Sequence, residues 1–141
     1  AFGAVQAIAS VSDKENINDY EGLYRTNPKI SMIMMMALFS LAGIPPLAGF
    51  FGKFFLYTAA ASKGYYVLVF IGVVNATISL YYYLLVVRAM FLRKNEDAIP
   101  YFKSKLYMKL GLIMATIGIL VAGLYSPFYD YIFSISNSFL N

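Results

Sequence analysis

A chain of 141 residues that is 60% hydrophobic and 13% charged, with a mean hydropathy of +0.66, carries more apolar surface than a soluble domain of this size can hide, which puts it in a bilayer. The net charge of +4 does not indicate nucleic acid, because the basic residues cluster beside the apolar spans and form no stripe on a soluble face. With no Cys and no His, iron–sulfur ligation by thiolates, His-ligated haem, His-based zinc sites and Cys or His catalysis are excluded from these residues, and no redox centre is expected in the chain.

Residues 1–10, Ala1-Phe-Gly-Ala-Val-Gln-Ala-Ile-Ala-Ser10, are apolar and lack the basic lead of a signal peptide, so they read as the end of an earlier transmembrane helix. Composition then changes abruptly. Residues 11–29 hold Asp13, Lys14, Glu15, Asp19, Glu21, Arg25 and Lys29 and read as a solvated loop, in which Thr26-Asn27-Pro28 signals the start of the next helix.

Residues 30–62 read as one broken transmembrane helix. An unbroken helix of about 33 residues would be roughly 50 Å long against a hydrocarbon core of about 30 Å, so it must tilt, break or both. Pro45 and Pro46 offer no amide hydrogen to the carbonyls of Leu41 and Ala42, and their rings clash with that turn, which places a break near Gly43-Ile44. Carbonyls freed inside a bilayer are tolerated only against protein, bound water or a cavity, so the break marks a place for water or a cation. Beyond it Pro46 suits the first turn of a second half-helix, and Ala48, Gly49 and Gly52 form a small-residue strip that admits a neighbouring helix.

Lys53 is the only charged residue from Ile30 to Ser62, and it falls roughly 12 Å beyond Pro45 if that half is helical. A charge at membrane depth is costly and marks function, and a broken helix beside it points to an ion path. Withdrawal from bulk water disfavours an ammonium, which makes Lys53 a candidate proton carrier where an exposed lysine would stay charged. The alternatives are that it snorkels to the surface, or pairs with a carboxylate on another helix to hold a bundle together.

After the tight connection Ser62-Lys63-Gly64, residues 65–92 form the next transmembrane helix. Its charge-free part runs from Tyr65 to Val87, and Arg88 and Arg93 mark its exit from the membrane. Tyr81, Tyr82 and Tyr83 suit an interfacial belt, whereas Asn75 serves either as glue between helices or as part of a hydrated path. Residues 93–105, with Lys94, Glu96, Asp97, Pro100, Lys103 and Lys105, make a second polar loop. Residues 106–126 are the last transmembrane helix, with Lys109 near enough to its start to reach the surface, and residues 127–141 are an interfacial tail bearing Phe128, Tyr129, Tyr131 and Phe133. The basic loops 11–29 and 93–105 are expected on the cytoplasmic side, opposite the 62–64 turn. The fold class is thus all-α, a set of polytopic transmembrane helices of which one is discontinuous.

The stretch Ser40-Leu-Ala-Gly-Ile-Pro-Pro-Leu-Ala-Gly-Phe-Phe-Gly-Lys-Phe54, followed by Asn75-Ala-Thr-Ile-Ser-Leu-Tyr-Tyr-Tyr83 and Val86-Val-Arg-Ala-Met90, resembles the antiporter-like membrane subunits of respiratory complex I. Among them it looks most like the C-terminal part of the subunit N family of bacterial NADH-quinone oxidoreductase, over nearly the whole chain. The resemblance implies a proton-translocating subunit in which Lys53 ends a buried relay. Its usual companions, a glutamate–lysine pair and a central lysine, would lie in helices outside these residues. Sister subunits L and M tend to differ around the charged position, M carrying a glutamate there, so the plain Gly52-Lys53-Phe54 ending favours subunit N. The resemblance further implies that NADH, FMN, iron–sulfur clusters and quinone belong to partner subunits, with no cofactor in this chain, and that its place is the bacterial inner membrane among the other membrane and peripheral subunits of the complex. Two other functions fit the same residues: a subunit of a multi-subunit cation/proton antiporter, and a purely structural member of a membrane bundle.

Overall fold

The computed structural model describes residues 1–12, 16–93, 99–103, 106–125 and 135. Every regular element among them is helical: α1 (Phe2–Ala9), a short 3-10 turn (Ile17–Tyr20), α2 (Leu23–Thr26), α3 (Pro28–Ala42), α4 (Ala48–Ser62), α5 (Tyr66–Leu92) and α6 (Leu106–Leu124). The interfacial tail expected at 127–141 lies outside the described residues apart from Ile135.

Helices α5 and α6, of 27 and 19 residues, are long and apolar enough to cross a membrane. Their outward faces carry Tyr66, Val67, Phe70, Ile71, Met114, Ile117 and Val121, all exposed. An apolar surface of this extent suits lipid or neighbouring helices and not water. Helix α5 runs one more turn past Arg88 to Leu92. Between α4 and α5, Gly64 turns the chain with φ 80, a conformation that side-chain-bearing residues rarely adopt.

Helix α3 is the central element, packing against α1, α2, α4, α5 and α6. Its first residue is Pro28, which suits a position whose N–H would have no helical partner. Among the described residues a compact core gathers Ala4, Ala7 and Ile8 of α1, Tyr20 of the 3-10 turn, Leu23 of α2, Ile30, Met34 and Leu38 of α3, Met90 of α5, and Ile99 from the connection to α6. This core sits at the end of the molecule that bears the basic loops.

Asn27 ties that end together. It is buried, its amide nitrogen donates to the carbonyls of Pro100 at 3.1 Å and Ile99 at 3.4 Å, and its amide oxygen accepts the Phe102 N–H at 3.1 Å. One side chain therefore fixes the start of α3 against the connection from α5 to α6. The neighbouring Arg93–Glu21 pair, at 2.6 Å with the arginine half-exposed, adds little by comparison, since such pairs contribute about 0–1 kcal/mol. Asn27→Ala leaves three backbone groups without their partner, and a loss of about 1–3 kcal/mol is expected. A lowered thermal unfolding midpoint of the membrane assembly is the measurement that checks it.

Candidate functional site

Helix α3 ends where the prolines make continuation impossible. Gly43 takes φ 85, and the chain closes the helix with a paired motif: the Gly43 N–H donates to Ser40 O and Phe39 O, and the Ile44 N–H to Phe39 O, all at 3.1 Å. That motif satisfies the carbonyls of Phe39 and Ser40. The next two, on Leu41 and Ala42, would have been served by residues 45 and 46, which are both proline and joined by a cis bond.

Lys53 serves them instead. Its Nζ donates to Leu41 O at 2.8 Å and to Ala42 O at 3.1 Å. The sequence reading set Lys53 some distance past the break; the structure folds its side chain back so that the ammonium closes the break itself. Gly43 makes room for it, because a Cβ there would stand 3.1 Å from the lysine Cδ and 3.3 Å from Nζ. The C-terminal end of α3 also carries partial negative charge, and a cation placed there gains about 0.3–1 kcal/mol. Among the described residues, the only ion pair joins Arg93 to Glu21. Among the described residues, the half-buried ammonium is held by backbone carbonyls and has no carboxylate partner.

A second contact crosses the break, again from a donor on α4 to an acceptor on α3. The Ser40 hydroxyl on α3 accepts the Gly49 N–H of α4 at 3.2 Å, capping an amide that the start of a helix leaves unpaired. Gly49 lies directly on the Ser40 backbone, where a Cβ would overlap the carbonyl oxygen. The expected small-residue strip is thus split: Gly49 admits the other half of its own broken helix, and Gly52 meets nothing within 4 Å among the described residues. Gly123 of α6 supplies the close approach from outside the broken helix, resting on Pro46 O and the Ala48 nitrogen.

From Lys53 a groove of about 430 Å³ runs between α4 and α5. Lys53, Tyr57, Asn75 and Ser79 supply its polar side chains. Asn75 is exposed to this groove, so the structure brings it and Lys53 to one cavity. Of the three tyrosines that follow, Tyr81 and Tyr82 face outward and touch edge to face at 5.7 Å, while Tyr83 packs against the core. Sequence reasoning missed Ser40 and Tyr57. Tyr57 carried a usable signal, since it follows Lys53 by four residues and so shares its helix face; Ser40 carried none, because its partner depends on the path of residues 43–47.

Residues 1–79 match the family model described as NADH:quinone oxidoreductase/Mrp antiporter, transmembrane. The chain is 52% identical over 130 residues to subunit N of the NADH-quinone oxidoreductase of Phocaeicola vulgatus, covering 92% of this chain and 28% of that protein. It is 45% identical over 138 residues to subunit N from Azobacteroides pseudotrichonymphae, covering 96% and 29%. Among solved structures it is similar to a chain of respiratory complex I from Thermus thermophilus with bound aureothin, with a TM-score of 0.74 and 31% identity over 86% of this chain and 28% of that one. The chain thus spans less than a third of the length of the relatives it matches.

Proposed function

This chain belongs to the NADH:quinone oxidoreductase/Mrp antiporter transmembrane family, and from that premise we propose that it forms the proton-exit part of a subunit N in an NADH-quinone oxidoreductase, with Lys53 as the proton carrier. NADH oxidation and quinone reduction take place in other subunits, which hold the FMN, the iron–sulfur clusters and the quinone; Lys53 receives its proton from ionisable groups in preceding helices. The identities to two subunits N favour this redox-driven role over a gradient-driven antiporter. The basic loops flanking α3 and α5 set residues 11–29 and 93–105 on the cytoplasmic side and the 62–64 turn outside.

The observation that carries the proposal is the pair of hydrogen bonds from Lys53 Nζ to Leu41 O and Ala42 O. In the charged form the amine offers three donors and is drawn to the negative end of α3. Once it gives up a proton it loses that attraction and one donor, so its grip on the break follows its protonation state. A residue with two dipolar acceptors and, among the described residues, no carboxylate partner is suited to hold a proton without trapping it as a tight ion pair would.

The test is Lys53→Met in the intact complex reconstituted into vesicles. Proton translocation per NADH oxidised is expected to fall while subunit content stays normal. Undiminished translocation in a correctly assembled complex would overturn the proposal.

A further inference from the structure

Tyr57 lies one helical turn beyond Lys53 on α4, on the side of the 62–64 turn, and its hydroxyl donates to Gly72 O of α5 at 2.9 Å. The phenol thus crosses the groove that begins at Lys53. Gly72 is shaped to receive it: a Cβ there would stand 2.8 Å from the ring Cε1 and 3.4 Å from the hydroxyl oxygen. On α4 the groove is lined from Lys53 to Ala60, about 10 Å of helix, and on α5 it reaches Leu68. It therefore leads from the lysine to within a turn of the Ser62-Lys63-Gly64 connection. Along the α4 wall between Lys53 and Ala60, Tyr57 supplies the polar side chain.

Resting on the reading of Lys53 as the proton carrier, we infer that the α4–α5 groove is the water-filled outlet from Lys53 and that the Tyr57 hydroxyl carries the proton across it. The ammonium gives a proton to a groove water and becomes the neutral amine. The Tyr57 oxygen accepts a proton from the water on the lysine side as its own hydroxyl proton passes to water on the turn side. The phenol ends neutral and one proton leaves. With its hydroxyl on Gly72 O the path is closed, and it opens when that O–H turns from the carbonyl to water. Gly72 O keeps its partner four residues on in α5, so releasing the tyrosine orphans no buried carbonyl.

Tyr57→Phe keeps the ring on Gly72 and removes only the hydroxyl. In the intact complex in vesicles it should lose most of the proton ejection that Lys53→Met loses, with normal subunit content. Proton ejection at the unaltered level in Tyr57→Phe, alongside a defective Lys53→Met, overturns the role of Tyr57 and leaves the lysine reading standing. Normal ejection in Lys53→Met removes the premise instead. Water in the groove is tested separately with Ala60→Cys in the same complex and a membrane-impermeant methanethiosulfonate added on the outer face. Modification of this subunit is expected, and its absence overturns the outlet. Should Tyr57→Phe fail to assemble, Tyr57→Leu takes its place with the same two outcomes, and the labelling decides the outlet.

Discussion

In the intact complex, Lys53→Arg is expected to stop proton translocation through this subunit as fully as Lys53→Met, while leaving the helix break tied. Arginine keeps the positive charge and several N–H donors, so the carbonyls of Leu41 and Ala42 retain a charged partner. It never releases its proton at accessible pH, so it can hold the junction but cannot pass a proton on. Methionine removes both the charge and the donors. The two variants should therefore agree in translocation, each slowed by about 10² or more, the low end of what a positioned proton-transfer group supplies. They should differ in stability, with methionine losing about 1.5–3 kcal/mol of charged hydrogen bonding that arginine preserves. Proton ejection together with the thermal midpoint of the purified assembly reads both. Wild-type ejection by Lys53→Arg would show that a fixed cation suffices there, and Lys53 would be a structural tie.

The Lys53 comparison turns on a contact that was half legible in the chain. Pro45 and Pro46 announce by their missing amides that Leu41 and Ala42 will lose partners, and the structure has α3 stop at Ala42 and α4 begin at Ala48. What supplies the replacement was not legible. Counting residues along a helix sets Lys53 well past the break, because the count includes neither the left-handed turn at Gly43 nor the length of a lysine side chain folding back. Composition and hydropathy were enough for the all-helical membrane fold, since α5 and α6 are apolar over lengths that match a bilayer. The polar ends were harder to read. Asn27 looked like an ordinary helix-start residue, yet it is buried and hydrogen-bonded to the backbone of Ile99, Pro100 and Phe102, and contacts across more than seventy residues leave no periodic trace.

Gly49→Ala is expected to have the largest structural effect of any single methyl added to this chain. Its Cβ would overlap the Ser40 carbonyl oxygen, and the obstacle is backbone, which cannot rotate away as a flexible side chain does. Relief requires α3 and α4 to separate at the break, which costs at least the about 1–3 kcal/mol typical of overpacking. Separation also strips the Gly49 N–H from the Ser40 hydroxyl and draws the α4 backbone, with Lys53 on it, away from Leu41 and Ala42. The variant should therefore lose proton translocation although no titratable group has changed, and its complex should unfold at lower temperature than that of Lys53→Arg. Gly52→Ala supplies the contrast. It adds the same methyl three residues on in the same helix, meets nothing within 4 Å among the described residues, and gains the about 1 kcal/mol of helix propensity that separates alanine from glycine. If Gly49→Ala proved as well tolerated as Gly52→Ala, the two half-helices would not be held in the close register on which the placement of Lys53 depends.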